Sequence, residues 1–399
     1  VAAIVGRLRF GFESANWEMC VASEAMPLAQ EMTPQQREEA REYGRAQLIC
    51  NLLDKGLDLL YLSVMALLVA RPLDAWLAAF IPRDVLRLIV LYLITIGLHE
   101  CVSFGVAFYG GHVLEHRYGL SRQTFGAWLT RHLKHYGLAV VFGLAMFLAL
   151  YGLMWYVGTY WWLAAAAAFF VVSIVLGQLA PVLILPLFYK IERLEDPTLS
   201  DRMTRLAAGT GLSIEGVYRM GLSDETSKAN AMLAGLGRTR RVLMGDTLLE
   251  QFSPDEIDVI FAHEIGHHVH KHLPKMIATG LVFSVVGLWL CDRALALWLE
   301  SQGVAYQASQ MPVFALPMVM LLLILFSNLI EPLQNVISRR YERQCDRYAL
   351  LRTKLPEAYR SAFRKLAVLN KDNPDPHPLE VFLFHSHPPI SERVSAADR

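Results

Sequence analysis

The sequence predicts a mainly α-helical, multi-span membrane protein of about six spans that carries a cytoplasmic α/β portion. Three observations predict it. Hydrophobic residues make up 54% of the 399 and charged residues only 19%, with a mean hydropathy of +0.33; soluble domains carry nearer a quarter charged residues. Six stretches stay apolar over about 20 residues, the length a helix needs to cross a bilayer. Between the fourth and the fifth lies a polar segment, 187–275, with alternating helix and strand signals.

The expected spans are 57–80, 85–109, 134–158, 160–186, 276–299 and 312–331. Trp161 and Trp162 open the fourth, where aromatic side chains favour the membrane interface. Basic residues near the span ends set the orientation. Arg37, Arg41, Arg45 and Lys55, then Arg117, Arg122, Arg131 and Lys134, then Arg339, Arg340, Arg343 and Arg347 fall on one side, which is therefore cytoplasmic. Both termini and 187–275 then face the cytoplasm, in the inner membrane if the cell is bacterial. The chain divides into a cytoplasmic N-terminal segment (1–55) and a four-span region (56–186) with an amphipathic cytoplasmic loop at 110–134. The polar portion 187–275, two further spans (276–331) and C-terminal helices (332–399) follow. Residues 1–50 lack a long apolar run with a cleavage site, so no secretory signal is expected.

Lys plus Arg and Asp plus Glu balance at 37 each. That gives nucleic acid no electrostatic footprint. Cys20, Cys50, Cys101, Cys291 and Cys345 are scattered without a C-x-x-C pair, against a disulfide framework or a thiolate metal site. Cys345 reads as a small core residue. Four ionisable residues fall inside expected spans. Such groups face the interior or serve function, although Asp292 and Arg293 are equally compatible with snorkelling to a span end. His99-Glu100 opens like a metal-binding helix but lacks the second His.

In the polar segment, Leu199–Ala208 has helical periodicity with Gly209 and Gly211 as stops. Gly216–Met220 reads as a strand, and Ala229–Leu233 and Arg241–Met244 as a hairpin-like pair around Gly235-Leu236-Gly237. Ser253-Pro254-Asp255-Glu256 starts a helix: Ser at the N-cap, Pro at N1, acid at N3. It is expected to run to Leu273, with Pro274 breaking it.

That helix contains His263-Glu264-Ile265-Gly266-His267. Two His four apart share a helix face, so both imidazoles reach one metal, and Glu264 lies beside its open position as a general base. His268, His270 and His272 read as solvated surface. Position 273 is Leu, so a third ligand must come from elsewhere. Asn335, Arg339, Glu342 and Asp346 fall on one helical stripe. Glu342 can face the metal while Asp346 accepts a hydrogen bond from a ligand His; alternatively Glu342 is a surface acid paired with Arg339.

Three separated pieces, HEIGHH, SRRYERQCD and SHPPISERV, together with SKANAMLAGLGRTRRVLMGDTLL and VLEHRYGLSRQTFGAWLTRHLK, resemble the CAAX prenyl protease-type (Ste-type) integral membrane zinc metalloproteases, relatives of the HtpX-type proteases. The resemblance spans about residues 85–395. It implies a gluzincin-like site with one Zn2+ per chain on His263, His267 and Glu342, and Glu264 as catalytic base. Asp346 would support a ligand. Asn230 and Ala231 match the substrate-binding edge strand, to which a peptide adds as a further strand. His387 and Arg393 match residues expected to stabilise the oxyanion and hold the metal helices. Cys345 stands where the family commonly has Ala, and Tyr189 where it tends to have Asn. The function implied is a membrane-embedded zinc endopeptidase acting on a peptide or protein, with prenylated and membrane-bound substrates left open. The alternatives are an HtpX-like quality-control protease and, remotely, a six-span transporter or channel with a regulatory domain.

Overall fold

The computed structural model describes residues 32–212, 214–235 and 240–398. Helix α1 (Pro34–Val64) starts on a capping box: Thr33 Oγ1 accepts from Gln36 N, and the Gln36 side chain accepts from Thr33 N. It passes through a π-helical stretch, Met65–Val69, into α2 (Ala70–Ala78). Helix α3 (Asp84–Phe108) likewise continues through Tyr109–Val113 into α4 (Leu114–Arg117). Helices α5 (Phe125–Val157) and α6 (Trp161–Leu179) meet at a 3₁₀ turn, where Gly158 takes φ 69°. The expected loop 110–134 is therefore largely helical, because α3 and α5 both outrun their apolar stretches.

Among the described residues, four stretches are long and apolar enough to cross a membrane: Asp84–Arg117, Phe125–Leu187, His272–Ser301 and Val313–Thr353. The second holds both α5 and α6, so the four contain five of the six expected spans. The remaining one, 57–80, is helical through α1 and α2 and exposes Leu67 and Leu68, but is not among the four. Tyr92, Phe147, Tyr151, Met154, Trp161, Leu295 and Leu316 form the core between these helices. Of the four ionisable residues singled out in the spans, all have partners, but the Arg293 side chain is 53% exposed while Asp292 is buried. Asp292, 1% exposed, accepts from Trp161 Nε1 at 2.7 Å and Arg293 Nε at 2.9 Å. His99 meets Asp58 at 2.6 Å, and Glu100 meets His132 at 2.6 Å.

The polar portion builds a four-stranded sheet of order β1-β2-β4-β3. Its strands are β1 (Ile191–Arg193), β2 (Gly216–Met220), β3 (Ala231–Ala234) and β4 (Arg241–Gly245). β2 and β4 run parallel with Val217 opposite Val242; β3 and β4 run antiparallel with Leu233 opposite Val242. β1, which the sequence pattern did not announce, adds antiparallel to β2. Of the expected turn at Gly235-Leu236-Gly237, Gly235 takes φ 90° and the other two residues lie outside the described residues. Helices α7 (Pro197–Ala207), α8 (Asp246–Gln251) and α9 (Pro254–Val269) accompany the sheet. Val242, Met244, Ile257, Ile260, Phe261 and Ile265 pack in one core there. Burying each such side chain contributes on the order of 1.5–3 kcal/mol.

Helix α9 begins as the sequence predicts, with Ser253 at its N-cap and a reciprocal capping box to Glu256. The Glu256 carboxylate, 3% exposed, also accepts from Ser361 Oγ at 2.5 Å and Lys365 Nζ at 2.7 Å of α12 (Pro356–Asn370). Its end differs from expectation. The helix stops at Val269, Lys271 takes φ 55°, and α10 (His272–Ser301) begins before Pro274. Pro274 thus lies in a first turn, where a missing N–H costs no helix bond.

Helix α11 (Leu316–Thr353) has 38 residues. At 1.5 Å per residue it is about 57 Å long, against a hydrocarbon thickness of about 30 Å. Its C-terminal half therefore projects beyond the apolar stretch and packs on α9. Helices α13 (Pro378–Phe384) and α14 (Ile390–Ala396) close the polar portion.

Candidate metal centre

The centre forms where α9 crosses α11, and Gly266 sets how closely they cross. A Cβ built there would stand 2.9 Å from Cys345 Cα and 3.1 Å from its Cβ, so only glycine admits this approach. Cys345 itself is 0% exposed. It is the small core residue expected, and the four described cysteines are free thiols.

The expected stripe on α11 is buried along its length: Asn335, Arg339, Glu342 and Asp346 all lie inside. Arg339 does not pair with Glu342. It donates to the backbone oxygens of Val381 (2.6 Å) and His385, and Asn335 Nδ2 donates to Leu383 O at 2.8 Å, so both fasten α13 to α11.

Glu342 faces the α9 histidines. Its Oε2 is 3.2 Å from His263 Nε2, and its Oε1 is 3.3 Å from His267 Nε2. His387 Nδ1 approaches Oε2 to 2.9 Å from the solvent side, its side chain 63% exposed. Despite these neighbours, Glu342 Oε2 is buried without a hydrogen-bond partner among the described residues. A buried carboxylate oxygen left so costs about 1–3 kcal/mol or more. A tetrahedral ion holding N and O donors at about 2.1 Å sets them about 3.4 Å apart. The two His–Glu separations fit that spacing, and a cation there satisfies the orphaned oxygen.

A second grouping, His263, His267 and Cys345, also has donor atoms within 4.8 Å of one another. The Cys345 Sγ, however, lies 3.5 Å from His272 Nδ1, which in turn is 3.2 Å from His267 Nδ1. The thiol thus sits toward the Nδ1 edge of His267, whereas both Glu342 oxygens sit at the Nε2 atoms. Geometry favours Glu342 as the third donor.

Behind His263, Nδ1 stands 2.9 Å from Asp346 Oδ1. Arg393, 8% exposed, grips both Asp346 oxygens, Nε to Oδ2 at 3.1 Å and Nη2 to Oδ1 at 2.5 Å, with its guanidinium 3.9 Å over the Phe363 ring. The structure thus puts Arg393 behind the His263–His267–Glu342 cluster and His387 at its open side. Burial alone would lower the His263 pKa, but the Glu342 carboxylate and the Asp346 hydrogen bond outweigh it and hold the imidazole at about 10. The Glu342 carboxylate beside it raises the His387 pKa.

Glu264 projects beside the cluster toward β3, where its Oε2 accepts from Leu233 N at 3.4 Å. Among the described residues β3 is the outer strand, and Gly245 N donates to Asn230 O at 2.8 Å. Antiparallel pairing then turns alternate backbone groups, those of Ala231 and Leu233, to the free edge. The residues missed by pattern reading are His272, Gln344 and Phe363. His272, read as solvated, is 1% exposed and stacks on Tyr341; its signal is the left-handed break at Lys271, which turns it back toward His267.

Comparison with known proteins bears on this arrangement. Residues 193–399 match the model of peptidase family M48, and residues 17–190 match the CAAX prenyl protease N-terminal region, described as five membrane helices. That region begins within residues the structure does not describe, and its five helices exceed the four spans expected over 56–186. The chain is 26% identical over 389 residues to the uncharacterized metalloprotease YhfN of Bacillus subtilis, covering 97% of this chain and 91% of that one. It is 28% identical over 327 residues to CAAX prenyl protease 1 of Saccharomyces cerevisiae, covering 75% and 70%. The crystal structure of S. mikatae Ste24p shares the fold, with a TM-score of 0.78 at 23% identity over 100% of this chain and 98% of that one. With the H-E-x-x-H helix, the long helix that meets it and both matched regions in one chain, the protein belongs to peptidase family M48, as a CAAX prenyl protease-type membrane metalloendopeptidase.

Proposed function

We propose that the chain is a zinc endopeptidase that cuts peptides of the kind its CAAX prenyl protease relatives are named for, with its polar portion in the cytoplasm. His263, His267 and Glu342 hold one zinc, and the observation that carries this is the buried Glu342 carboxylate, which turns Oε2 to His263 Nε2 and Oε1 to His267 Nε2 while Oε2 lacks a hydrogen-bond partner among the described residues. Zinc in such a donor set supplies Lewis-acid polarisation and a water acidified to a pKa of about 7. Glu264 is the general base. It takes the proton of the attacking water and returns it to the departing amine. His387, exposed at the mouth, donates to the oxyanion that develops on the scissile carbonyl. Arg393 touches no substrate and acts through Asp346, holding the His263 ring.

The free edge of β3 receives the substrate as an added strand, with Asn230 and Ala231 at its start. The Leu233 N–H, which Glu264 accepts, lies on that edge and is available to a peptide carbonyl once Glu264 engages water. The basic flanks of the spans support the cytoplasmic placement. Incubating the purified protein with farnesylated and unmodified CAAX peptides, read by mass spectrometry, tests the substrate class. Faster cleavage of the farnesylated peptide supports it; equal cleavage of both supports a quality-control protease instead.

A further inference from the structure

His267 has a partner on its far edge that the metal-site motif does not contain. His272 Nδ1 is 3.2 Å from His267 Nδ1, and His272 Nε2 is 2.9 Å from Gln344 Oε1. The His272 ring is 1% exposed and stacked on Tyr341, centroids 4.2 Å apart at 12°. Hydrogen-bond bookkeeping fixes the protons. The Gln344 oxygen only accepts, so His272 Nε2 carries hydrogen. His272 Nδ1 is then the accepting edge of the ring, facing both the Cys345 thiol at 3.5 Å and His267 Nδ1 at 3.2 Å, and the second contact is a hydrogen bond when His267 carries its hydrogen on Nδ1. That leaves the lone pair of His267 on Nε2, the atom facing Glu342.

Resting on the reading of His267 as a zinc ligand, we propose that His272 and Gln344 form a neutral relay that sets the tautomer and ring orientation of His267 for the metal. The two ligand histidines are then supported unequally. His263 donates to a carboxylate held by an arginine, while His267 donates to a neutral ring held by an amide. A ligand imidazole that donates to a carboxylate is the more basic of the two. His272 is a positioning residue: it acts through His267. The relay also assigns a purpose to the helix break at Lys271, whose φ of 55° starts α10 so that His272 is carried back over α11.

The test separates hydrogen bonding from packing. His272→Phe keeps a ring to stack on Tyr341 but offers no acceptor; His272→Gln loses the stack but presents a carbonyl oxygen. Zinc affinity of the full-length protein in detergent is measured by competition with a chelator, and the visible spectrum of the cobalt(II)-loaded protein reports ligand geometry. Support of this kind is worth about 10–100-fold in metal affinity. His272→Phe is expected to weaken zinc by about 10–100-fold and alter the cobalt spectrum, with His272→Gln recovering most of the loss. Gln344→Met removes the far end without touching the stack, and is expected to weaken zinc at least about threefold, a smaller loss than for the contact nearer the metal. Zinc affinity within about twofold of wild type in both His272→Phe and Gln344→Met overturns the relay alone. Absence of zinc from the wild-type protein overturns the metal centre, and the relay with it.

Discussion

Replacing Asp346 by asparagine tests how the metal cluster is held, because the structure requires both carboxylate oxygens to accept. Oδ1 takes His263 Nδ1 at 2.9 Å and Arg393 Nη2 at 2.5 Å, while Oδ2 takes Arg393 Nε at 3.1 Å. An amide has one acceptor oxygen. Whichever way the substituted side chain turns, its NH2 meets an N–H of Arg393 or of His263, and the buried guanidinium keeps only the more distant Glu342 carboxylate, 3.8 Å away, as counter-charge. Two losses follow. Mis-setting a ligand imidazole weakens zinc about 10–100-fold, or about 1.4–2.7 kcal/mol at about 1.36 kcal/mol per decade. Removing the nearer partner of a buried charge costs up to about 3–5 kcal/mol of stability, with or without metal. Glu342→Ala removes a donor outright and is expected to abolish stoichiometric zinc. Chelator competition reads the first loss, and the melting temperature of the metal-free protein in detergent reads the second. Zinc affinity of Asp346→Asn within about twofold of wild type refutes the support role. Complete loss of zinc in Asp346→Asn with retention in Glu342→Ala means that the two acids must exchange roles.

Three further outcomes follow from the same geometry. His263 titrates at about 10 in the metal-free protein, so below that pH zinc displaces a proton; affinity is expected to rise about tenfold per pH unit between about pH 6 and 8, and a flat profile contradicts the assignment of His263. Gly266→Ala places a methyl 2.9 Å from the Cys345 backbone and is expected to cost about 1–3 kcal/mol of stability while loosening zinc; a melting temperature equal to wild type argues against the close crossing of α9 and α11. Cysteines introduced at Ser200 and Ser395 of an otherwise Cys-free protein should resist impermeant thiol reagents added outside intact cells, and labelling there reverses the proposed orientation.

Signals that act over a few residues were legible in the sequence. The start of α9 follows from Ser253, Pro254 and Glu256, each of which acts within one helical turn. β2, the flanks of the β3–β4 pair and the apolar stretches follow from composition and period. The stripe of Asn335, Arg339, Glu342 and Asp346 was readable because helical spacing alone puts those residues on one face. What stayed hidden depends on partners distant in the chain. The pattern could not show that Asp58 meets His99, that Arg339 holds α13, or that Lys365 reaches back to Glu256. The misplaced end of α9 has another cause. Pro274 carries the usual breaker signal, but the break is made by Lys271 in the left-handed region, which lysine does not advertise. That error also hid His272, because a continuous helix would have carried it away from His267.

The proposed chemistry turns on Glu264 performing the proton transfers of a zinc-loaded peptidase without holding the metal. Turnover of a CAAX peptide by Glu264→Gln protein, its zinc content verified by elemental analysis, tests both halves of that statement at once. One zinc per chain is expected, as in wild type, with kcat lower by about 10²–10⁴-fold. A variant that keeps its zinc and turns over within about tenfold of wild type, or one that loses its zinc, contradicts the role given to Glu264.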